Sequence, residues 1–242
     1  MSGSAGAAPL IASFPAAGAG STSLAWLTPI AAARGAQHLP LATPSSTAEF
    51  HSGRWLDGVV DAVGGAAGRT GADSVVLVGH SMGGLAALLA ARALRADFPV
   101  GVLGINPPCP DAEGRIPTMS ASDDAEIARI LGGDGFPVEL LDDEELLAEV
   151  ADGVRADAGV ADELAVRVAG MGDVGPLCVL ATRGDAFIGV RHCLRWRERC
   201  RSGLDLIEAD GSHMLTGTPG HILERAVDSV VASVRRDVAW RS

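Results

Sequence analysis

The chain has no lysine; all 19 of its basic residues are arginine. That bias fits a G- and C-rich coding sequence better than a chemical need. Basic charge is also outweighed, since 30 acidic side chains bring the net charge to −11 at pH 7. The pI is about 4.9. Nucleic acid is thereby excluded as a partner, because binding it requires a basic surface. No uninterrupted apolar run reaches the roughly 18 residues that span a bilayer, so no membrane partner is expected. Met1 to Pro9 lacks the basic and apolar regions of a signal peptide, so the cytoplasm is expected. Cysteine is sparse: Cys109, Cys178, Cys193 and Cys200 form no CxxC pair. They read as free thiols of a reducing compartment. A metal site at Cys193, Cys200 and His192 is weighed and set aside.

What is present is apolar. Hydrophobic residues make up 48% of the 242-residue chain, with a mean hydropathy of +0.26. That suffices for one domain over residues 1–242 with a full core. Short β-branched runs read as buried strands at 9–13, 75–78, 100–105, 177–181 and 204–208. Helical patterns separate them, at about 22–33 with Trp26, Leu27 and Ile30 spaced on one face, and at 55–68. Residues 39–54 read as irregular. Strand–helix alternation implies a mainly parallel sheet with helices on both faces. Residues 117–171 interrupt it with an acidic helical stretch. There Ser122 is a candidate cap, Asp142 with Glu145 forms a capping box, and Leu146, Leu147, Val150 and Val154 make a stripe. This stretch is expected to be a helical lid over the C-terminal edge of the sheet.

"VVLVGHSMGGLAALLAARAL" carries the chemistry. Gly79-His80-Ser81-Met82-Gly83 is common by chance in a chain with 31 glycines, so its context must decide. It follows a buried strand and opens a helix, as a nucleophile on a strained turn requires. Small residues two positions before and after the serine relieve the crowding there. Ser81 therefore reads as a nucleophile, which needs a base and an orienting acid.

Of six histidines, His213 in "EADGSHMLTG" follows the last strand and is the candidate base. His38 and His51 precede the serine, His80 lies inside the turn and should point away from the hydroxyl, and His192 and His221 fall in helical patterns. Asp185 in "VLATRGDAF" follows the 177–181 strand and is the candidate acid. Asp210 and Asp173 are weaker competitors, one too near His213 and the other before the strand. The oxyanion donors expected are the N–H of Met82, directly after the nucleophile, and that of Ala16, after Phe14-Pro15.

These segments, with "SFPAAGAG", "GHSMGG", "RILGGDGFPVELLDDEELLAEVADGVRADAGV", "VLATRGDAF" and "GSHM" in order, resemble the type II thioesterases. These are stand-alone α/β-hydrolases of polyketide and nonribosomal peptide pathways. The likeness runs from Pro9 to about Arg236 and implies the α/β-hydrolase fold and a Ser81–Asp185–His213 triad. It further implies hydrolysis of acyl groups from the phosphopantetheine arm of an acyl or peptidyl carrier protein; no metal or diffusible cofactor is expected, and a monomer is expected. The chain departs from the pattern at Ala16, at Met214-Leu215 and at "INPPCPDAEGR", all around the acyl pocket. These departures admit an alternative: a pathway-dedicated esterase or cyclase using the same triad. "RHCLRWRERCR" offers either a dock for an acidic carrier or a solvated helix face.

Overall fold

The computed structural model describes residues 7–110, 119–133, 136–201 and 203–241. Among the described residues, six strands form one parallel sheet. They are β1 (Leu10–Phe14), β2 (Gln37–Pro40), β3 (Val75–His80), β4 (Val100–Ile105), β5 (Leu177–Thr182) and β6 (Leu204–Ala209). Their order is β2-β1-β3-β4-β5-β6. β1, β3, β4 and β5 are buried throughout, as expected where helices cover both faces.

Alternating side chains divide the core in two. Leu10, Ala12, Phe14, Val75, Leu77 and Val102 face the helices α3 (Arg54–Thr70) and α4 (Met82–Leu94). Ile11, Val76, Val78, Leu103 and Ile105 face α1 (Leu27–Ala32) and the C-terminal helix α9 (Gly220–Arg241). Each fully buried Val or Leu stabilises the fold by about 1.5–3 kcal/mol.

Two sequence expectations need correction in this part of the chain. The 22–33 stretch is broken into a 3-10 turn (Ser21–Leu24) and α1, whose first turn accepts Pro29 because the N–H that proline lacks is not needed there by the helix. Residues 39–54 are not irregular. Strand β2 reaches Pro40, and a short helix α2 (Thr47–His51) is capped by Ser46, whose hydroxyl accepts from Glu49 N–H at 3.2 Å. β2 escaped notice because it is a four-residue edge strand with no apolar alternation, a setting that tolerates proline.

The insertion holds α5 (Asp124–Gly133), α6 (Val138–Leu141) and the 26-residue α7 (Glu144–Ala169); residues 117, 118, 134 and 135 of the expected lid lie outside the described residues. The caps are each shifted by one residue. Asp123, not Ser122, accepts from Glu126 N–H; Asp143, not Asp142, accepts from Glu145 and Leu146 N–H, both at 3.0 Å. Asp143 has the extended backbone that a cap needs. The buried line of α7 is Ala151, Val154, Val160, Leu164 and Val168, while Leu146 is exposed. The expected stripe is thus buried at Val154 and half-buried at Leu147 and Val150, the latter packed against Ile127, Ala151 and Val154. Below it, α8 (Val190–Leu194) runs into a 3-10 turn (Arg195–Arg199) that buries Trp196 completely.

Candidate active site

Four neighbouring strands deliver the site at one edge. The ladder of β3 and β4 extends one residue, Ser81 N–H donating to Ile105 C=O at 2.8 Å. Asn106 N–H then donates to Leu180 C=O at 2.8 Å, and Arg183 N–H to Ala209 C=O at 2.9 Å. Ser81, Asn106, Asp185 and His213 thus follow the C-terminal ends of β3, β4, β5 and β6.

Ser81 has φ 52° and ψ −120°, a strained conformation for a residue with a side chain. Its neighbours show why the turn is built from glycine. A Cβ on Gly79 would lie 2.1 Å from Gly83 C=O, and one on Gly83 would lie 2.3 Å from the Phe14 oxygen and 2.5 Å from that of Pro15. The same close approach presses the turn after β1 against the start of α4. Met82 N–H and Ala16 N–H, the expected oxyanion donors, come from these two segments, and among the described residues neither has an acceptor. Both residues are buried, and the N-terminus of α4 adds its positive pole to the same place.

Asp185 and His213 are brought together, with His213 Nδ1 2.7 Å from Asp185 Oδ2. The other carboxylate oxygen, Oδ1, accepts from Phe187 N–H at 2.8 Å and Ile188 N–H at 2.6 Å. Phe187 meets the His213 ring edge-on, centroids 5.6 Å apart. The loops of the pair are fastened to each other, Gly184 N–H donating to Gly211 C=O at 3.0 Å. Ser81 Oγ makes no hydrogen bond with any described residue, so the hydroxyl–imidazole contact is not formed here. Such contacts commonly tighten only when substrate binds.

The competing residues are committed elsewhere. His38 is held by Ser13 Oγ at 2.8 Å and Thr28 Oγ1 at 2.9 Å, and burial pushes its pKa down. His51 pairs with Glu163 at 3.5 Å, and His192 and His221 sit on α8 and α9. Asp210 pairs with Arg183 at 3.0 Å; Asp173 accepts from Gly175 and Arg201 N–H. His80, as expected, turns away from the hydroxyl, its Nε2 2.7 Å from His213 C=O. The four cysteines are buried and not joined in disulfides, and burial pushes the thiols of Cys178, Cys193 and Cys200 up to about 12. No group of three metal-ligating side chains is found among the described residues, and no helix there is long and apolar enough to cross a membrane.

A cavity of about 110 Å³ opens at Ser81, walled by Met82, Leu85, Phe187 and Ile188 and roofed by Ala158, Ala161, Asp162 and Ala165 of α7. The arginine-rich stretch beside it leaves Arg191, Arg197 and Arg201 exposed while other members pack inward. Cys193 and Trp196 are buried in it, and Arg199 donates to Val168 C=O at 2.9 Å and Ala169 C=O at 2.7 Å, closing the end of α7. Sequence reasoning missed Arg199, and a cation facing a helix C-terminus was the signal for it.

A parallel sheet with a strained serine after its third strand, an acid after the fifth and a histidine after the sixth defines the α/β-hydrolase class. The chain belongs to the alpha/beta hydrolase family, whose model matches residues 16–228. No curated protein sequence gives a significant match. Among solved structures, RedJ, a thioesterase of the prodiginine pathway of Streptomyces coelicolor, superposes with a TM-score of 0.67 at 17% identity, covering 94% of this chain and 89% of that one. Human thioesterase 2 gives 0.67 at 16% identity, covering 94% and 98%. YbtT, a type II thioesterase of the yersiniabactin pathway, gives 0.66 at 19% identity, covering 96% and 95%. The fold is shared with all three.

Proposed function

We propose that this protein is a thioesterase that releases acyl groups from the phosphopantetheine arm of an acyl or peptidyl carrier protein. The setting is polyketide or nonribosomal peptide synthesis, in the cytoplasm, and one copy of the chain suffices. The observation that carries the reading is the arrangement at the sheet edge. A strained Ser81 and a hydrogen-bonded Asp185–His213 pair follow neighbouring strands, beside an apolar cavity under a helical lid. Two fold neighbours, RedJ and YbtT, are thioesterases, which supports it.

Ser81 attacks the thioester carbonyl while His213 Nε2 takes its proton. Asp185, already fixed by two main-chain N–H groups, holds the imidazole with Nδ1 protonated and offsets the charge it gains. Met82 and Ala16 N–H donate to the oxyanion. The pantetheine thiol leaves with the proton from His213, and water activated by the same nitrogen then hydrolyses the acyl-Ser81 ester. The carrier brings its own phosphopantetheine, and no metal or diffusible cofactor enters.

The alternative, a pathway-dedicated esterase or cyclase, uses the same triad and differs in its product, a free acid for hydrolysis and a ring for cyclisation. The test is intact-mass analysis of carriers loaded with short, malonyl-type and long acyl groups, incubated with wild type and Ser81→Ala. Return to the holo-carrier with wild type alone is expected. Discharge by Ser81→Ala, or a cyclic product in place of the free acid, overturns the reading.

A further inference from the structure

His80 and Asn106 have no part in the reaction above, yet both end on the base. His80 is the last residue of β3 and immediately precedes Ser81. Asn106 follows β4, whose Ile105 carbonyl holds Ser81 N–H. His80 Nε2 lies 2.7 Å from the main-chain oxygen of His213, and Asn106 Nδ2 lies 3.3 Å from the same oxygen. A carbonyl only accepts, so His80 must carry its proton on Nε2, and the oxygen's two lone pairs are both used.

The amide of Asn106 is oriented without ambiguity. Its Oδ1 accepts from Thr182 N–H at 2.8 Å, which leaves Nδ2 for Thr182 Oγ1 at 2.9 Å and for His213. Thr182 Oγ1 in turn donates to Ser212 C=O at 3.0 Å. Asn106 is wholly buried and has φ 43°, a left-handed conformation that asparagine tolerates better than most residues. His213 is therefore held twice, its ring by Asp185 and its main chain from β3 and β4.

Resting on the triad reading above, we infer that His80 and Asn106 are positioning residues. Their two N–H donors clamp the His213 carbonyl and so set the imidazole's place relative to Ser81, using the residue next to the nucleophile as the reference. The clamp adds no competing charge. The His80 ring lies 5.1 Å from that of His213, and burial, then the nearness of His213, pushes its pKa down to about 3, so it stays neutral. His213 can then become charged during reaction without a second charge on His80.

The experiment measures the second-order rate at which a fluorophosphonate labels Ser81, and kcat and KM on an acyl N-acetylcysteamine thioester. The proteins are wild type, His80→Leu, His80→Gln, Asn106→Asp, His213→Ala and His80→Leu/His213→Ala. Asn106→Asp keeps shape and the Thr182 N–H acceptor but turns the donor toward His213 into an acceptor. His80→Leu and Asn106→Asp should label about 100-fold more slowly, the loss expected for a reacting group displaced by about 1 Å. kcat should carry the change and KM should not. His80→Gln, which retains a donor, should recover most of the rate. In the His213→Ala background, His80→Leu should cost nothing further, because residues acting as one unit are not additive.

Wild-type labelling rates in His80→Leu and Asn106→Asp overturn the clamp alone. So does an equal fold-loss in both backgrounds, which a merely structural role would give. Failure of wild type to label, or full labelling of His213→Ala, overturns the triad reading and the clamp with it.

Discussion

Asp185 has two separable duties, and two substitutions part them. Its Oδ1 serves the main-chain N–H groups of Phe187 and Ile188, and its Oδ2 serves His213 Nδ1. In Asp185→Asn the remaining oxygen keeps the two N–H groups, so the new NH₂ faces Nδ1. A donor facing a donor forces the imidazole to surrender its Nδ1 proton and carry it on Nε2, where it can no longer accept from Ser81. The expected loss in fluorophosphonate labelling is about 10⁴-fold, or about 5 kcal/mol of transition-state stabilisation, with little change in Tm. Asp185→Ala should lose activity as well and, unlike Asn, stability. It strips the acceptor from two N–H groups at about 1–3 kcal/mol each. At about 2–4 °C per kcal/mol for a chain of this size, Tm should fall by about 4 °C or more. Labelling rates at pH 8 and scanning calorimetry on the same preparations measure both. Asp185→Asn labelling within tenfold of wild type would refute the tautomer argument; an unchanged Tm in Asp185→Ala would refute the packing one.

Other outcomes follow from contacts already described. Gly83→Ala puts a Cβ 2.3 Å from the Phe14 oxygen; main chain cannot swing aside, so about 1–3 kcal/mol of stability should be lost together with Ser81 labelling, seen by denaturant melts and probe kinetics. Arg199→Met removes two charge-assisted bonds from the end of α7, so hydrogen exchange should quicken in residues 160–169 while β3 stays protected. Stability should fall on both sides of neutrality. Below about pH 6.5 an unfolded His80 gains a proton that the folded ring, with its pKa near 3, refuses, so the unfolded state binds more protons and stability drops as pH falls. Above about pH 8.5 unfolded thiols ionise while Cys178, Cys193 and Cys200, pushed up to about 12, remain protonated, so stability drops as pH rises. Tm against pH should be a dome, its acid limb shallower in His80→Gln.

Strands β1, β3, β4, β5 and β6 were legible because each is a short β-branched or leucine run bounded by turn residues. β2 was not, since a half-exposed edge strand has no pattern of its own and exists only because β1 offers it a ladder. Helix ends were displaced by one residue where adjacent acids compete: Asp142 or Asp143 can cap, and the backbone angle decides. Asp185 and His213 were readable from their places just after strands.

Local sequence determined the strained Ser81 turn in part: Gly79 must be bare because Gly83 of the same turn crowds it, whereas the demand for glycine at 83 comes from the distant main chain of Phe14 and Pro15. It also determined the alternation of strands and helices, through hydrophobic period alone. Tertiary structure alone decided that the fifth and sixth strands lie beside the fourth. That order brings Asp185 to His213, turns Arg199 onto α7, and joins His80, Asn106 and Thr182 around the carbonyls of Ser212 and His213. Hydrogen bonds between residues 76 to 133 positions apart leave no trace in local composition, because either partner alone is only a buried polar side chain seeking a donor or acceptor.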